Sequence, residues 1–293
     1  MKILVTGKTG QVGYELERSL QGLGQVIALD RAQMDLSNLA QVREVIRSIK
    51  PQLIVNPAAY TAVDQAEKEP ELAMRINAEA PGVMAEEART IGAAMIHYST
   101  DYVFDGSKNS PYVETDPTCP INVYGRSKLA GEQAIQAADI PHLILRTSWV
   151  YGMRGKNFLL TMLRLAQERD ALRIIGDQHG APTWCRTIAD TTAHIVAQMR
   201  RAGEPGEVLP AQLKPYSGIY HLTALGHTTW CGFAESILAH SSVPKKPTLT
   251  PIRTEEYPLP AARPLNSRLS CERLRTTFCD LPVWHEALRL CQE

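Results

Sequence analysis

The first half of the chain alternates short apolar runs with longer stretches whose apolar residues recur every three or four positions. In the stretch 11–20, for example, Val12, Leu16 and Leu20 share one helical stripe. The short runs are apolar throughout, which is typical of strands covered on both faces. The predicted strands are 3–5, 26–29, 53–55, 94–98 and 143–145, and the predicted helices are 11–20, 39–49, 71–91 and 123–137. This repeated strand–helix order predicts an α/β fold built on a Rossmann-type, doubly wound parallel sheet.

The second half of the chain is less regular. The predicted helices are 157–167, 188–200, 233–240 and 284–290, and the predicted strands are 173–175 and 218–222. The stretch 243–264 is rich in proline, so we expect it to run irregularly over the surface. These elements predict a first domain over 1–150, with returns to its sheet near 188–201 and 218–222. A smaller, interleaved second domain is predicted over most of 151–293.

Composition and charge exclude several classes of protein. The 293 residues carry 31 basic and 31 acidic side chains, so the chain lacks the positive excess with which nucleic-acid-binding proteins contact phosphates. We find no apolar run that could span a membrane and no signal peptide, and we expect a soluble, cytoplasmic protein. The six cysteines form no CxxC pair and the eight histidines no HxxxH pair, so we expect free thiols and no metal site.

A glycine-rich turn follows the first predicted strand. Gly7, Gly10 and Gly13 are spaced GxxGxxG, and Gln11 and Val12 stand between the last two, where the first helix begins. Glycines at a helix N-terminus let backbone N–H groups approach a pyrophosphate closely. We therefore predict a dinucleotide site in the domain 1–150. Glycines that only end a strand are the alternative.

The end of the second predicted strand carries two residues with opposite implications for the cofactor. Asp30 stands where a carboxylate accepts hydrogen bonds from the adenosine ribose, whereas Arg31 stands where a guanidinium meets the 2′-phosphate of NADPH. These two residues together do not decide whether NADH or NADPH is the cofactor. Asp35 and Leu36 are candidate contacts for the adenine side, and a helix cap is the alternative for Asp35.

Small residues follow the third predicted strand in the segment 56–61, which ends in Ala59, Tyr60 and Thr61. Small side chains at the carboxyl end of a strand let a flat cofactor lie against the backbone. We therefore predict a contact with the dinucleotide here, and close packing of the chain is the alternative.

The candidate catalytic group lies further along the chain. Tyr124 and Lys128 are four residues apart on a predicted helix and therefore share one of its faces. The ammonium is expected to favour the phenolate and to lower the Tyr124 pKa from about 10 toward neutrality. The fourth strand is followed by Ser99-Thr100-Asp101, which puts a hydroxyl at the carboxyl edge of the sheet, where open α/β sheets bind ligands. Together they predict proton transfer at a carbonyl or alcohol oxygen while a nicotinamide carries the hydride.

Across essentially its whole length the chain resembles an extended short-chain dehydrogenase/reductase, and in particular the dTDP-4-dehydrorhamnose reductase family. The segments that carry the resemblance are GKTGQVG (7–13), STDYVFDG (99–106), NVYGRSKLAGE (122–132), RTSWVYG (146–152), DQHGAPT (177–183) and ARPLNSRL (262–269). The resemblance implies reduction of dTDP-4-dehydro-L-rhamnose to dTDP-L-rhamnose with NADPH or NADH. The product is a sugar donor for bacterial surface polysaccharide, such as the O-antigen of lipopolysaccharide.

The resemblance also implies roles for individual residues. Tyr124 would protonate the oxygen on C4, and Lys128 would hold the nicotinamide ribose and acidify Tyr124. Thr100 would bind the keto oxygen and Asp101 a sugar hydroxyl. The residues implied to contact the dinucleotide are Gly10, Gln11, Val12, Asp30, Asp35, Leu36, Ala59, Tyr60, Thr61 and Tyr98.

Three further residues are implied to contact the substrate. Trp149 would pack on the deoxysugar, with an ordinary core aromatic as the alternative. Arg263 and Arg268 are candidates for binding the substrate diphosphate. Either arginine could pair with a carboxylate instead.

Members of the family are described as using Mg²⁺, in some cases at a dimer interface. Glu15 could serve as a ligand, but Arg186, after Cys185, offers a cation where a second carboxylate would help. We therefore assign no metal ligand and expect no metal-bridged dimer, while a homodimer as such stays open. The expected partner is a dTDP-sugar, with neither nucleic acid nor membrane.

Three rival functions use the same fold. A nucleotide-sugar 4,6-dehydratase would carry a glutamate after Asp101 as the base for the C5 proton, and here Tyr102 follows. An epimerase would keep its cofactor permanently bound. A non-catalytic regulatory subunit would be expected to lose the Tyr124–Lys128 pair, and both residues are present.

Overall fold

The computed structural model describes residues 1–202, 209–242, 244 and 246–293. The strands are β1 Lys2–Val5, β2 Gln25–Ala28, β3 Leu53–Asn56, β4 Ala94–Thr100, β5 His142–Thr147, β6 Val150–Tyr151, β7 Ala171–Ile175, β8 His179–Gly180, β9 Thr183–Trp184, β10 Gly218–His221, β11 Thr228–Thr229 and β12 Thr248–Ile252. The helices are α1 Gln11–Ser19, α2 Leu39–Ile49, α3 Val63–Ala66, α4 Pro70–Met74, α5 Ala80–Ile91, α6 Val123–Ala137, α7 Phe158–Glu168, α8 Cys185–Ala202, α9 Leu209–Leu213, α10 Trp230–His240, α11 Glu272–Thr277 and α12 Trp284–Gln292. Along the described residues, no helix combines the length and apolarity needed to cross a bilayer.

Within the described part of the chain, six strands form one parallel sheet in the order β10–β5–β4–β3–β1–β2. On one face its apolar side chains pack against α1, α8 and α11, and on the other against α2, α5 and α6. The strands β3, β4 and β5 are buried at every position, because each residue of a sheet covered on both faces points toward a helix. The predicted Rossmann-type, doubly wound sheet is confirmed.

Two elements from the second half of the chain belong to this sheet layer. β10 pairs in parallel with β5, from Gly218 opposite Leu143 to His221 opposite Arg146. α8 packs along α1 on one face of the sheet. The chain therefore returns to the sheet after leaving it, while the domain boundary at residue 150 stays a prediction.

A smaller layer lies beside the sheet and has its own core. Tyr151, Leu159, Phe233 and Leu288 are buried at its centre. Short two-stranded sheets, β7–β12, β6–β9 and β8–β11, border this core. The predicted strand 173–175 is the second half of β7.

Two predicted elements differ from the structure. The expectation of an irregular path over 243–264 is wrong in part, because β12 lies within this stretch and pairs in parallel with β7. Pro251 is tolerated there because β12 is an edge strand. Val243 and Lys245 lie outside the described residues. The predicted single helix 71–91 consists of α4, a π-helical turn over Arg75–Glu79, and α5.

The π turn fixes the loop that follows β3. Asn77, within the turn, accepts a hydrogen bond from the Tyr60 N–H at 2.8 Å and donates to the Tyr60 carbonyl at 3.0 Å. It also donates to Ser127 Oγ of α6 at 3.0 Å. Single π turns inside helices are frequent at functional sites. Here the turn ties the loop after β3 to α6.

Candidate active site

A cleft of about 610 Å³ opens at the carboxyl edge of the parallel sheet, within the size range of small-molecule sites. Most residues singled out from the sequence line it. They are Gly7, Gly10, Gln11, Val12, Gly13, Arg31, Asp35, Leu36, Ala59, Tyr60, Thr61, Tyr98, Thr100, Asp101, Tyr124, Lys128 and Trp149. Asp30, Arg263 and Arg268 lie outside this lining.

The glycine turn forms one end of the cleft. Gly7 has a φ of +59°, and a Cβ there would lie 2.9 Å from Ala58 Cβ. A Cβ on Gly13 would lie 2.1 Å from the Gly7 carbonyl oxygen, so only glycine fits. α1 begins directly after Gly10, and no side chain of the described residues caps its first N–H groups. These free N–H groups and the positive end of the helix dipole fit a pyrophosphate.

The two cofactor-selecting candidates after β2 are placed differently. Asp30 turns back onto its own loop, where Oδ1 accepts from the N–H groups of Ala32 and Gln33 at 3.0 and 3.1 Å. Lys8 Nζ lies 3.5 Å from Asp30 Oδ2. Arg31 lines the cleft, with its Nε 3.5 Å from Asp35 Oδ2. The prediction of Asp30 as a ribose contact is therefore not supported by its position, because its carboxylate is used within the turn.

Asp35 borders the cleft and does not cap α2. Its Oδ1 accepts from the Ser37 N–H and hydroxyl, and these bonds lower its pKa. The cap of α2 is Asn38, whose side chain accepts from the Gln41 N–H. The alternative of a helix cap at Asp35 is therefore wrong.

Lys128 and Tyr124 both reach the cleft from α6, but they do not pair as the sequence suggests. Lys128 is about 2% exposed, and its Nζ donates to the Tyr98 carbonyl at 2.6 Å and lies 3.1 Å from His97 Nε2. Burial lowers the pKa of Lys128 to about 8, against the opposing charge of Glu132.

The prediction that Lys128 brings the Tyr124 pKa toward neutrality is wrong for this structure. Burial raises the pKa of Tyr124 to about 12, and a hydrogen bond with Thr100 opposes this only in part. The nearby Asp101 carboxyl raises it further. Since the Lys128 ammonium is directed to Tyr98 and His97, it does not offset the burial of the phenol. Tyr124 is therefore protonated at neutral pH, as a general acid must be.

Several buried polar atoms of the cleft lack a partner within the described chain. Thr100 Oγ1 donates to Asp101 Oδ1 at 2.9 Å, but Asp101 Oδ2 has no hydrogen bond, and neither do Ser99 Oγ and Thr147 Oγ1. Burial raises the Asp101 pKa to about 7, against hydrogen bonds from the hydroxyls of Ser267 and Thr100. Unsatisfied buried oxygens are costly, so their presence together fits a ligand rich in hydroxyl groups.

The sequence analysis missed Thr147 as a lining residue, although a signal was available. Thr147 lies directly opposite Thr100 in the register of β4 and β5, at the last position of each strand. The rule that ligands meet the carboxyl ends of parallel strands applies to β5 as well as to β4. The end of the fifth strand could thus have been included.

Trp149 lies in the wall of the cleft and also packs against another aromatic residue, so both interpretations of it apply. Its ring lines the cleft, and it is stacked on Trp230 with ring centroids 3.6 Å apart and planes 8° from parallel. Its backbone is left-handed, with a φ of +46°, which is rare for a bulky residue and is most common at functional sites. Gly180 makes room for the ring, since a Cβ there would lie 2.5 Å from it. The stacked tryptophans form one apolar wall of the cleft.

The two late arginines are bound elsewhere. Arg263 forms a bidentate pair with Asp64, with N–O distances of 3.0 and 2.7 Å. Arg268 donates to Asn266 Oδ1 at 2.7 Å and to the Asn109 carbonyl at 2.6 Å. Neither lines the cleft, so the structure does not bring the predicted diphosphate contacts to the site. Arg263 takes the carboxylate pairing that was its alternative.

Glu15, the candidate magnesium ligand, lies beside an arginine. Arg186 Nε lies 3.3 Å from Glu15 Oε2, so a cation of the chain itself already faces this carboxylate. Across the residues that the structure describes, no group of three or more His, Cys, Asp or Glu side chains is arranged to hold a metal ion. Mg²⁺ prefers several oxygen ligands and no competing cation.

Comparison with known proteins agrees with this geometry. The family model described as "RmlD substrate binding domain" matches residues 1–293. A dTDP-4-dehydrorhamnose reductase of Burkholderia thailandensis is 50% identical, over 99% of this chain and 98% of that protein. The Escherichia coli K12 protein of the same name is 47% identical over 99% and 96%. The Bacillus anthracis reductase, solved in complex with NADP, is 35% identical with a TM-score of 0.89 over 99% and 98%. The chain belongs to the dTDP-4-dehydrorhamnose reductase family.

Proposed function

We propose that the chain reduces dTDP-4-dehydro-L-rhamnose to dTDP-L-rhamnose with NADPH, as a step in supplying a sugar donor for surface polysaccharide. The observation that carries the proposal is the shared cleft: a glycine turn suited to a pyrophosphate at one end, and Thr100, Tyr124 and Lys128 at the other. The names of the relatives, at up to 50% identity over nearly the whole chain, support the same reaction.

Tyr124 is the general acid in this proposal. When bound, the reduced nicotinamide supplies a hydride to C4 of the sugar. Tyr124, with its pKa near 12, still carries its proton at neutral pH and donates it to the C4 oxygen as negative charge develops there. Thr100 stands at the end of β4 beside Tyr124, and its hydroxyl turns from Asp101 Oδ1 to donate a hydrogen bond to the same oxygen.

Lys128 serves as the ammonium that binds the nicotinamide ribose. Two features support this role: the side chain is buried beside the cleft, and its pKa of about 8 leaves it charged at neutral pH. Activity should therefore fall as the pH rises through about 8, because the neutral amine holds the ribose hydroxyls less strongly than the ammonium does.

NADPH is the preferred cofactor in this proposal. Arg31 lines the cleft, whereas the Asp30 carboxylate is bound by Ala32, Gln33 and Lys8. An arginine at this position pairs with the adenosine 2′-phosphate, and a carboxylate is needed there for NADH. NADH remains a usable but poorer reductant.

The dehydratase alternative is not favoured. Tyr102, which follows Asp101, packs edge-on against Tyr124 with ring centroids 5.9 Å apart. Burial raises the Tyr102 pKa above its usual value, so the phenol keeps its proton at neutral pH and cannot serve as the base that removes a C5 proton.

We further propose a cytoplasmic location, in keeping with six cysteines present as free thiols. A homodimer stays a prediction.

The test is to mix the purified chain with dTDP-4-dehydro-L-rhamnose and either NADPH or NADH, and to follow nicotinamide absorbance. We expect oxidation with both cofactors, faster with NADPH, and none when the sugar is omitted. No oxidation with either cofactor contradicts the proposal. Purification of the protein with tightly bound NAD, together with turnover of a dTDP-sugar without added reductant, would support an epimerase instead.

A further inference from the structure

His97 is a buried titratable residue that the proposed mechanism does not use. It lies inside β4, in an otherwise apolar run, and is about 1% exposed. A buried imidazole cannot form hydrogen bonds with solvent, so each ring nitrogen needs a hydrogen-bond partner within the protein. His97 Nε2 lies 3.1 Å from Lys128 Nζ, and Nδ1 lies 3.1 Å from Asn56 Nδ2. His97 thus joins Lys128 to the interior of the sheet.

These contacts continue as a chain of buried side chains that we call the lysine support. Asn56 pairs with His97 in the register of β3 and β4, and its Oδ1 lies 2.6 Å from Thr6 Oγ1, directly after β1. Thr6, Asn56 and His97 are each at most 2% exposed. The lysine support therefore runs from the end of β1 through β3 and β4, and it ends at the Lys128 ammonium.

The protonation of Lys128 decides the direction of the hydrogen bonds in the lysine support. An ammonium has three donors and no lone pair, so it can only donate to His97 Nε2. A neutral imidazole that accepts at Nε2 carries its proton on Nδ1 and donates it to the carboxamide oxygen of Asn56. A half-turn of that carboxamide presents its oxygen to His97 and its nitrogen to Thr6. The orientation with Nδ2 toward Nδ1 suits the neutral amine.

We propose that His97 is a positioning residue for Lys128: at neutral pH its imidazole is uncharged and protonated on Nδ1, and its bare Nε2 holds the ammonium in place. The Tyr98 carbonyl is the second acceptor, so one N–H of Lys128, which lines the cleft, is left for a ligand. This inference rests on the proposed function, because His97 has a task only if Lys128 serves the reduction.

The electrostatics of the site agree with an uncharged imidazole. Burial lowers the pKa of His97 well below its usual range, and the neighbouring Lys128 charge lowers it further. An acceptor at Nε2 in turn favours the charged form of Lys128, against the burial that lowers its pKa. His97 therefore keeps Lys128 charged to a higher pH than burial alone would allow.

The other groups around Lys128 do not replace His97. Glu132, one turn further along α6, is held by Arg146 of β5 through two hydrogen bonds of 2.9 and 2.7 Å. Tyr98 offers its carbonyl, while its hydroxyl pairs with Thr192. Tyr124 and Asp101 face Thr100. Along the described chain, His97 is thus the neutral side chain in hydrogen-bonding distance of Lys128 Nζ.

The tautomer of His97 can be measured without any activity. Wild-type protein labelled with ¹⁵N-histidine is examined by NMR at neutral pH, and the His97 signals are assigned by their loss in His97→Gln. We expect Nδ1 to be protonated and Nε2 to be unprotonated, with no change between about pH 6 and about pH 7.5. A free histidine, with a pKa of about 6.5, would change its protonation within this range. A His97 ring protonated on Nε2 at neutral pH, or a charged one, overturns the proposal.

Kinetics test the effect on Lys128. His97→Leu fills the space without an acceptor, whereas the His97→Gln carboxamide can still accept from Lys128. For His97→Leu we expect kcat roughly tenfold lower and the basic limb of the pH–rate profile moved down by about one pH unit, because an ammonium without its acceptor loses its proton more easily. His97→Gln should recover most of both. His142→Gln, at a buried histidine of β5 outside the cleft, is the matched control and should change neither.

Two results contradict the positioning role. Equal loss of kcat in His97→Leu and His97→Gln with the basic limb unmoved would mean that His97 only supports the fold. Wild-type kinetics in both variants would mean that Lys128 does not need it. If His97→Leu does not fold, Asn56→Leu removes the acceptor of Nδ1 and should move the limb in the same direction; an unmoved limb overturns the proposal. Absence of reductase activity in the wild type would contradict the proposed function alone, and the NMR result would still decide on His97.

Discussion

The carboxyl edge of the sheet and the late loop after β12 both carry residues that the sequence singles out, but the two regions use them differently. At the sheet edge, Thr100 and Asp101 line the cleft and keep polar atoms unpaired. In the late loop, Arg263 is bound to Asp64 and lies outside the cleft. The two aspartates show the contrast, since burial raises the Asp101 pKa to about 7 and Arg263 lowers that of Asp64.

The difference has a physical cause. The end of a buried strand is fixed by the ladder of the sheet, so a polar residue there faces the edge where ligands bind. An arginine in a loop has a long side chain and several partners within reach, and its partner depends on which element packs nearby. Position along a strand therefore predicts a site more reliably than residue type in a loop.

Replacing Tyr124 by phenylalanine should give the largest loss at the sheet edge. We expect kcat to fall about 10²- to 10⁴-fold, because the variant has no proton to donate to the C4 oxygen. NADPH binding, measured by fluorescence titration, should change little. Tyr151→Phe is the matched control: Tyr151 is buried outside the cleft, and its hydroxyl has no partner in the described residues, so its loss should leave kcat unchanged.

Asp101 and Asp64 should respond to pH in opposite ways. Between about pH 4 and about pH 7 the folded chain keeps a proton on Asp101 that the unfolded chain has lost, so this contribution to stability decreases as the pH rises. The unfolding free energy of the wild type should therefore fall relative to Asp101→Asn by about 2 kcal/mol from about pH 5 to about pH 8, measured by urea unfolding. Asp64→Asn should show no such change, because Asp64 is ionised throughout this range. A difference in unfolding free energy between the wild type and Asp101→Asn that stays constant with pH would contradict the raised pKa of Asp101.

Arg31 tests cofactor choice at the other end of the cleft. Arg31→Ala should lower kcat/KM for NADPH about tenfold, which corresponds to one charge-assisted contact with the 2′-phosphate, and should change kcat/KM for NADH by less than about twofold. Arg89→Ala, at an exposed arginine of α5 outside the cleft, serves as the control. An equal loss of kcat/KM with both cofactors would mean that Arg31 does not bind the 2′-phosphate.

The late loop should show a smaller effect on catalysis. Arg263→Ala, Asp64→Ala and the double variant should each change KM for the dTDP-sugar by less than about threefold, since neither residue lines the cleft. Their effects on thermal stability should be non-additive, as expected for direct partners. A rise in KM for Arg263→Ala that Asp64→Ala does not share would mean that Arg263 binds the substrate diphosphate after all.

Removal of divalent metal should have the smallest effect. Because Arg186 already faces Glu15, we expect the initial rate to be the same in EDTA as in Mg²⁺. A loss of rate in EDTA that Mg²⁺ restores would contradict this expectation. Size-exclusion chromatography of the same two samples would show whether the oligomeric state depends on the metal.

The sheet and the location of the cleft could be predicted from the sequence, whereas several side-chain partners could not. The apolar runs fix the parallel strands, and the strand ends then locate Thr100 and the glycine turn. The contact between Lys128 and His97 was missed, because which strand residue a helix meets depends on how the helix packs on the sheet, which one sequence does not give. The role of Asn77 was missed as well, since the π turn that directs it is not encoded in the apolar period.

The pKa of Tyr124 shows why spacing alone misleads. A lysine four residues away on a helix suggests an acidified phenol. In the folded chain the ammonium bonds to Tyr98 and His97, and burial of the phenol raises its pKa to about 12. Both residues line the cleft as expected, but burial and hydrogen-bond direction are properties of the fold.

The most direct measurement is to follow the transferred hydride. The chain is incubated with dTDP-4-dehydro-L-rhamnose and NADPH that carries deuterium in both positions at the reactive carbon of the nicotinamide, and the sugar product is examined by NMR and mass spectrometry. We predict one deuterium at C4 of dTDP-L-rhamnose for each cofactor oxidised, with the hydroxyl proton exchanging with water. A sugar product without deuterium at C4, or an unoxidised cofactor beside a changed sugar, would contradict the reductase.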